Sequence, residues 1–197
     1  MINKQKRIIE LLYTYSKYGQ KNNDDGTLLI GHPNYLKENW WLVEMFPTLK
    51  DNDINYIKSR CTPSIPETYE KFLRNVSNGL IFQFGSFYLY GLVTSFNRNI
   101  DSRQPFDIFL PNIDERALYN NVKENYFFIG GYSDDGSQLY IDVLTNKVHL
   151  CSEDDATSLL SWDNFDDMLI SELTRLYALY SDDGRIIDED KSVPSSS

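Results

Sequence analysis

Nucleophilic catalysis with a histidine base needs an imidazole within hydrogen-bond reach of a serine or cysteine. This chain of 197 residues contains two histidines, His32 and His149, and two cysteines, Cys61 and Cys151. His149 and Cys151 stand two apart in a segment patterned as a strand, so their side chains share a face and a Cys-His dyad is sterically allowed. No oxyanion-hole motif or glycine-rich nucleophile turn accompanies them, and they are taken as ordinary strand residues. His32, directly before Pro33, reads as a loop residue. A structural zinc site takes about four Cys or His ligands, and the four in this chain are not clustered. The carboxylates remain: Asp134 and Asp135 before a glycine, Glu153, Asp154 and Asp155 in one run, and Asp163, Asp166 and Asp167 in another. Neither of the last two runs has the alternating Asp/Asn spacing and glycine of a calcium loop. Gly130-Gly131 lacks the rest of a dinucleotide-binding pattern. The expectation is therefore no catalytic residue, no metal and no cofactor. The eight acids are candidate binding residues, weighed against the plainer reading of a solvated surface with acids near a helix N-terminus.

The elements that must position these residues change character at Gly79. Before it, helical spacing dominates. Residues 3–18 place Ile8, Leu11, Leu12 and Tyr15 on one helical face, ending at Gly19. A polar, turn-rich loop follows, with a short strand at Leu28-Leu29-Ile30. Residues 34–46 carry Leu36, Trp40, Val43 and Phe46 at helical spacing, and Asp51 is a candidate cap for a helix through Ile54 and Ile57. Pro66 suits the first turn of the next helix because its φ is already helical and its missing N–H would have no partner there. Ile65, Tyr69, Phe72, Leu73 and Val76 share one face of that helix, and Gly79 can take a left-handed cap. From there, Leu80 to Phe84 and Phe87 to Val93 predict a hairpin around Gly85-Ser86, and Phe106 to Leu110 a further strand. Asn112 to Val122 predicts a short helix. Tyr126 to Gly131, Leu139 to Val143 and Lys147 to Leu150 predict three strands joined by tight turns at Asp135-Gly136 and Leu144-Thr145-Asn146. Trp162 to Tyr180 holds Phe165, Met168, Leu169, Leu173, Leu176, Tyr177 and Tyr180 on one stripe, with Ser161 or Asp163 as cap. The class expected is α+β, a mainly antiparallel sheet of about six strands flanked by helices.

The net charge of −10 is unevenly placed: residues 1–74 carry 11 Lys+Arg against 9 Asp+Glu, and residues 75–197 carry 8 against 20. An acidic surface of this kind repels nucleic acid and anionic membrane and favours cationic partners. Two well-separated cysteines read as free thiols of a reducing compartment. The N-terminal run lacks the apolar stretch of about 7–15 residues that a secretory signal requires, and a cytoplasmic location is expected.

Ile65-Pro66-Glu67-Thr68-Tyr69-Glu70-Lys71-Phe72-Leu73, closed by Asn78-Gly79-Leu80, resembles the signature of the SUKH superfamily, the Smi/Knr-type domain. There, an Ile-Pro or Leu-Pro helix bearing Tyr and Phe-Leu runs into Asn-Gly-Gly before the first strand of a sheet. Leu80 replaces the second glycine. The Ile129-Gly130 strand end and the Thr145-Asn146-Lys147-Val148 turn resemble the family's later hairpin. The resemblance spans residues 51–180, leaving 1–50 as a helical extension packed on the main domain and 181–197 as an acidic, serine-rich flexible tail. It implies binding rather than catalysis. Bacterial members are typically immunity proteins that neutralise cognate toxins, many of them nucleases; fungal members are regulatory scaffolds of cell-wall synthesis and signalling. The compact, acidic chain fits the first kind better, with a basic protein toxin as partner, and the scaffold is the alternative. Oligomeric state is left open.

Overall fold

Among the described residues nine strands form one antiparallel meander whose spatial order is the chain order: β1 (Gln20–Asn22), β2 (Leu28–Ile30), β3 (Val43–Met45), β4 (Leu80–Phe82), β5 (Phe87–Leu89), β6 (Tyr126–Gly131), β7 (Gln138–Asp142), β8 (Val148–Cys151) and β9 (Leu160–Trp162). Among the described residues four α-helices accompany them: α1 (Lys4–Leu12), α2 (Asp51–Arg60), α3 (Glu67–Asn75) and α4 (Phe165–Leu179). This computed structural model describes residues 4–94, 102–187 and 193–194. The α+β class is as the pattern predicts, with nine strands where about six were expected. The difference includes β1 and β3, short strands in the first fifty residues.

Strand alternation gives the sheet two faces. On one face Phe82, Leu89, Phe127, Leu139, Ile141, Val148 and Leu150 are buried, and aromatic contacts lock helices to this layer. Phe165 of α4 meets Tyr69 and Phe72 of α3 edge-on at 5.2 and 5.3 Å, and Phe82 meets Tyr177 of α4 at 5.1 Å. The Tyr69 hydroxyl donates to the carbonyl oxygens of Tyr90 and Ile129, anchoring α3 across β5 and β6. Pro66 is the residue before the first helical turn, with φ −62° and an extended ψ. Asn78 carries out the chain reversal after α3: its side chain donates to the Leu92 carbonyl and accepts from the Leu92 N–H at 2.8 and 2.7 Å. Gly79, at φ +86°, turns the chain into β4.

Four expectations are corrected. Residues 34–46 are not a helix: two turns lead into β3, because Val43 and Met45 find β2 on one side and β4 on the other. Phe106 to Leu110 is not a strand. Asp107 makes an isolated bridge to Gly91, and the chain then winds into a π-type turn at Leu110–Asp114 and a 3-10 turn at Arg116–Leu118 where a single helix over 112–122 was expected. Asn112 decides this course, since its amide donates to the Ile108 and Phe128 carbonyls and its oxygen accepts from the Phe128 N–H, replacing strand pairing with side-chain pairing. The helix caps also move by one residue. Asn164, not Ser161 or Asp163, caps α4 by accepting from the Asp167 N–H, and Lys50 precedes α2, its N–H bonded to the Asp53 carboxylate at 2.9 Å.

At the C-terminal end, Tyr180 and Ile186 form an antiparallel bridge, and the Tyr35 hydroxyl donates to the Asp183 carbonyl at 2.9 Å. Asp188, Glu189, Asp190 and the terminal serines, part of the expected flexible tail, lie outside the described residues.

Candidate functional site

The second face of the sheet is covered unevenly, and a groove of about 510 Å³ remains between its covers. Its floor comes from alternation on β5 and β7. Tyr88 and Tyr90 point to this face, and Gln138 stands beyond Gly131, which pairs with both Tyr88 and Gln138. Glycine is required there: a Cβ on Gly131 would run into the Ser137 carbonyl oxygen and lie 2.9 Å from the Tyr88 hydroxyl. The floor's polar groups satisfy one another. The Tyr90 hydroxyl donates to Gln138 Oε1 at 2.7 Å, and Gln138 Nε2 donates to the Gly136 carbonyl at 2.9 Å and to the Tyr88 hydroxyl at 3.3 Å.

One wall is the excursion between β5 and β6, which brings Phe106 onto Tyr88 at 4.4 Å and stacks Tyr119 on Phe128 at 4.5 Å. Apolar side chains stand open on this wall, Phe106 at 42%, Leu110 at 43% and Leu118 at 72% exposure. The opposite wall is made by the β6–β7 turn and the loop after β8. The Asn120 N–H donates to the Asp154 carbonyl and the Ala156 N–H to the Asn120 carbonyl, tying the two walls together. Carboxylates stand on both sides: Asp107 and Glu115 on the first wall, Glu153 and Asp154 on the second. Among the described residues no Lys, Arg or His lines the groove.

The sequence candidates divide accordingly. Glu153 packs against the β6–β7 turn so closely that a Cβ on Gly136 would lie 2.8 Å from its Cδ, so the Asp134-Asp135 turn and the Glu153–Asp155 run meet at one wall. Asp134, Glu153 and Asp154 are exposed. Asp135 and Asp155 serve local structure. Asp135 accepts from the Ser137 N–H and hydroxyl, and Asp155 accepts from Asn121 and from the Thr157 N–H, bonds that hold its carboxyl below the usual range. The third run sits where β9 passes into α4, beside cations of the chain itself. Lys4 reaches Asp167 at 2.8 Å and Lys147 reaches Asp163 at 3.5 Å, while burial pushes the Asp166 carboxyl up. Asp107, Glu115 and the aromatic floor were missed. The Tyr88-x-Tyr90 alternation was a usable signal for the floor; the wall residues depend on a chain excursion with no periodic pattern.

The Cys-His dyad is not made, since His149 pairs with Ser158 and not with Cys151. Burial pushes the Cys151 thiol up to about 12 and the Cys61 thiol up to about 11, so neither supplies thiolate near neutrality. His149 stacks on Tyr140 at 5.0 Å, and its Nδ1 lies 2.8 Å from the Ser158 hydroxyl. Among the described residues no three His, Cys, Asp or Glu side chains are grouped as a metal site needs, and no helix is long and apolar enough to cross a membrane.

Compared with protein-family models, residues 48–171 match the SMI1 / KNR4 family (SUKH-1). The chain belongs to the SMI1 / KNR4 family. No curated protein and no solved structure matches it. The matched span contains the α3-to-β4 signature and every residue of the groove, from Tyr88 to Asp154. In this SUKH-1 chain Leu80, in place of the signature's second glycine, is a fully buried first residue of β4, so its side chain fills core where a glycine would leave space.

Proposed function

We propose that this SUKH-1 chain is a non-enzymatic immunity protein, neutralising a cognate basic toxin in the cytoplasm by direct binding. The observation that carries this reading is the acidic wall of Glu153 and Asp154, with Asp134 exposed on the adjoining turn, beside an aromatic groove that no Lys, Arg or His among the described residues lines. A toxin that grips phosphate must be basic on that surface, and a nuclease is the class whose nucleic-acid ligand such a wall would imitate. The two free, buried cysteines accord with a reducing compartment. The thiols are buried, the one histidine–serine pair described, His149 with Ser158, lies outside the groove, and no turnover is expected of the purified protein.

The test is co-expression with any toxin found encoded beside this gene. The native chain should restore growth, and the double variant Glu153→Gln/Asp154→Asn should lose protection while keeping its melting temperature. Asp155 is left intact because its bonds to Asn121 and Thr157 shape the loop. Full protection by the double variant, with unchanged affinity at both low and high salt, would remove this wall from the interface. Absence of any neighbouring toxin, with binding instead to a cell-wall or signalling assembly, would favour the scaffold role.

A further inference from the structure

The groove's chemistry specifies more than a basic partner. Its floor hydrogen bonds are closed among Tyr88, Tyr90, Gln138 and Gly136, so a ligand entering it meets aromatic and aliphatic surface below and carboxylates only at the rim. Asp107 and Glu115 stand on one side and Glu153 and Asp154 on the other. An all-apolar occupant would leave four rim carboxylates facing an uncharged surface. A small anion would be repelled from every side. A flexible side chain with an apolar stem and a cationic head satisfies both zones at once. Among such groups guanidinium fits better than ammonium, because it stacks on aromatic faces and bonds carboxylates in a planar, two-point fashion.

We propose that the groove over β5 and β7 is a receptor for an arginine-bearing loop of the partner, the arginine stem lying on Phe106 and Leu118 and its guanidinium held between the rim carboxylates. This deepens the toxin-binding reading and rests on it for the identity of the partner, but the groove's ligand chemistry can be tested alone. Leu118 marks the entrance: it is largely exposed on the wall opposite Glu153, so a contact there costs the free protein no core packing.

The experiment titrates the ¹⁵N-labelled full chain with the peptide acetyl-Gly-Arg-Leu-Arg-Gly-amide and with its citrulline counterpart, which keeps the shape of arginine and removes the charge. With the arginine peptide, amide shifts should concentrate at Ser133–Gly136 and Glu153-Asp154 and at the Gln138 side-chain amide. The citrulline peptide should bind at least about tenfold more weakly, as loss of a charged partner predicts. Glu153→Gln/Asp154→Asn should weaken the arginine peptide by a similar factor. Leu118→Lys, which places a competing cation at the entrance, should abolish the shifts without lowering the melting temperature. Equal binding of the citrulline peptide, shifts centred instead on Asp163–Asp167, or no shifts at all would each overturn the receptor. The two readings fail separately. Protection lost in the double variant while the peptide ignores the groove keeps toxin binding and removes the receptor; peptide bound in the groove by a chain that protects against no toxin does the reverse.

Discussion

Phe72 and Glu70 sit two residues apart on α3 and show how a side chain's surroundings, more than its type, set its worth. Phe72 is 4% exposed and packs on Tyr69 and Phe165. Phe72→Ala should therefore destabilise the protein by about 3–5 kcal/mol, the range for truncating a buried aromatic. The helical stripe alone suggests that Glu70→Ala is nearly silent. A cost is expected instead, because Glu70 bonds Lys58 at 2.7 Å and Arg74 at 2.8 Å, linking α2 to α3. Burial raises the Glu70 carboxyl, but those two cations outweigh it and hold it below its ordinary value. A folded-state value below the unfolded one gives stability that is present above the unfolded pKa and lost as pH falls through the folded one. Glu70→Ala should thus cost about 1 kcal/mol at neutral pH, with the deficit closing on acidification below about pH 4. Urea titrations of both variants at neutral and acid pH measure this. An unchanged midpoint for Phe72→Ala would mean that the α3 face points elsewhere than the core, and a Glu70→Ala deficit that persists in acid would mean that the ion pairs are not its source.

Elements were legible in proportion to their periodicity. The α3-to-β4 turn, the three strands from Tyr126 to Cys151 and the long α4 all follow from spacing and turn residues, because each buries one regular face. The α4 stripe hides one exception. Glu172 is 1% exposed inside it, accepting from the Tyr132 hydroxyl at 2.7 Å and from Arg175, a satisfied buried charge that a count of apolar residues passes over. Aromatic residues misled elsewhere. Trp40 and Phe46 suggested a helix, and Phe106 and Phe109 a strand, because bulky side chains fall at helical or alternating spacing in irregular segments too. In the second case the deciding residue is Asn112, buried at 3% and bonded to both Ile108 and Phe128. It fastens the excursion that carries Phe106, Leu110 and Leu118 to the sheet. Asn112→Ala leaves the Phe128 N–H and two carbonyls without that partner and should cost about 1–3 kcal/mol. The loss should appear locally, as faster amide hydrogen exchange over residues 106–119 with β7 and β8 still protected. Equal exchange across the whole sheet would show that Asn112 supports the global fold rather than this wall.

At the scale of the molecule, charge was legible in the sequence and its arrangement was not. The acidic excess of residues 75–197 is a matter of counting, but only the folded chain separates Asp134, Glu153 and Asp154, on the wall, from Asp135 and Asp155, whose carboxylates hold loops, and Asp163 and Asp167, which meet Lys147 and Lys4. Local pairing matters for association because a partner's field is felt through exposed, uncompensated charges and is screened beyond about 8 Å at physiological ionic strength. Long-range steering should therefore depend on the wall more than on the α4 corner, although the two runs carry equal formal charge. Stopped-flow association of the native chain with the proposed toxin partner should slow as salt is raised. Asp134→Asn/Glu153→Gln/Asp154→Asn should slow association at low salt and flatten that salt dependence, whereas Asp163→Asn/Asp166→Asn/Asp167→Asn should do so much less, since two of its carboxylates are already matched within the chain. Dissociation is expected to respond to a different set of residues, the groove's own contacts, because rim charges act mainly on encounter and buried contacts on residence. Equal slowing by the two triple variants would show that net charge alone, and not the wall beside the groove, brings the partner in.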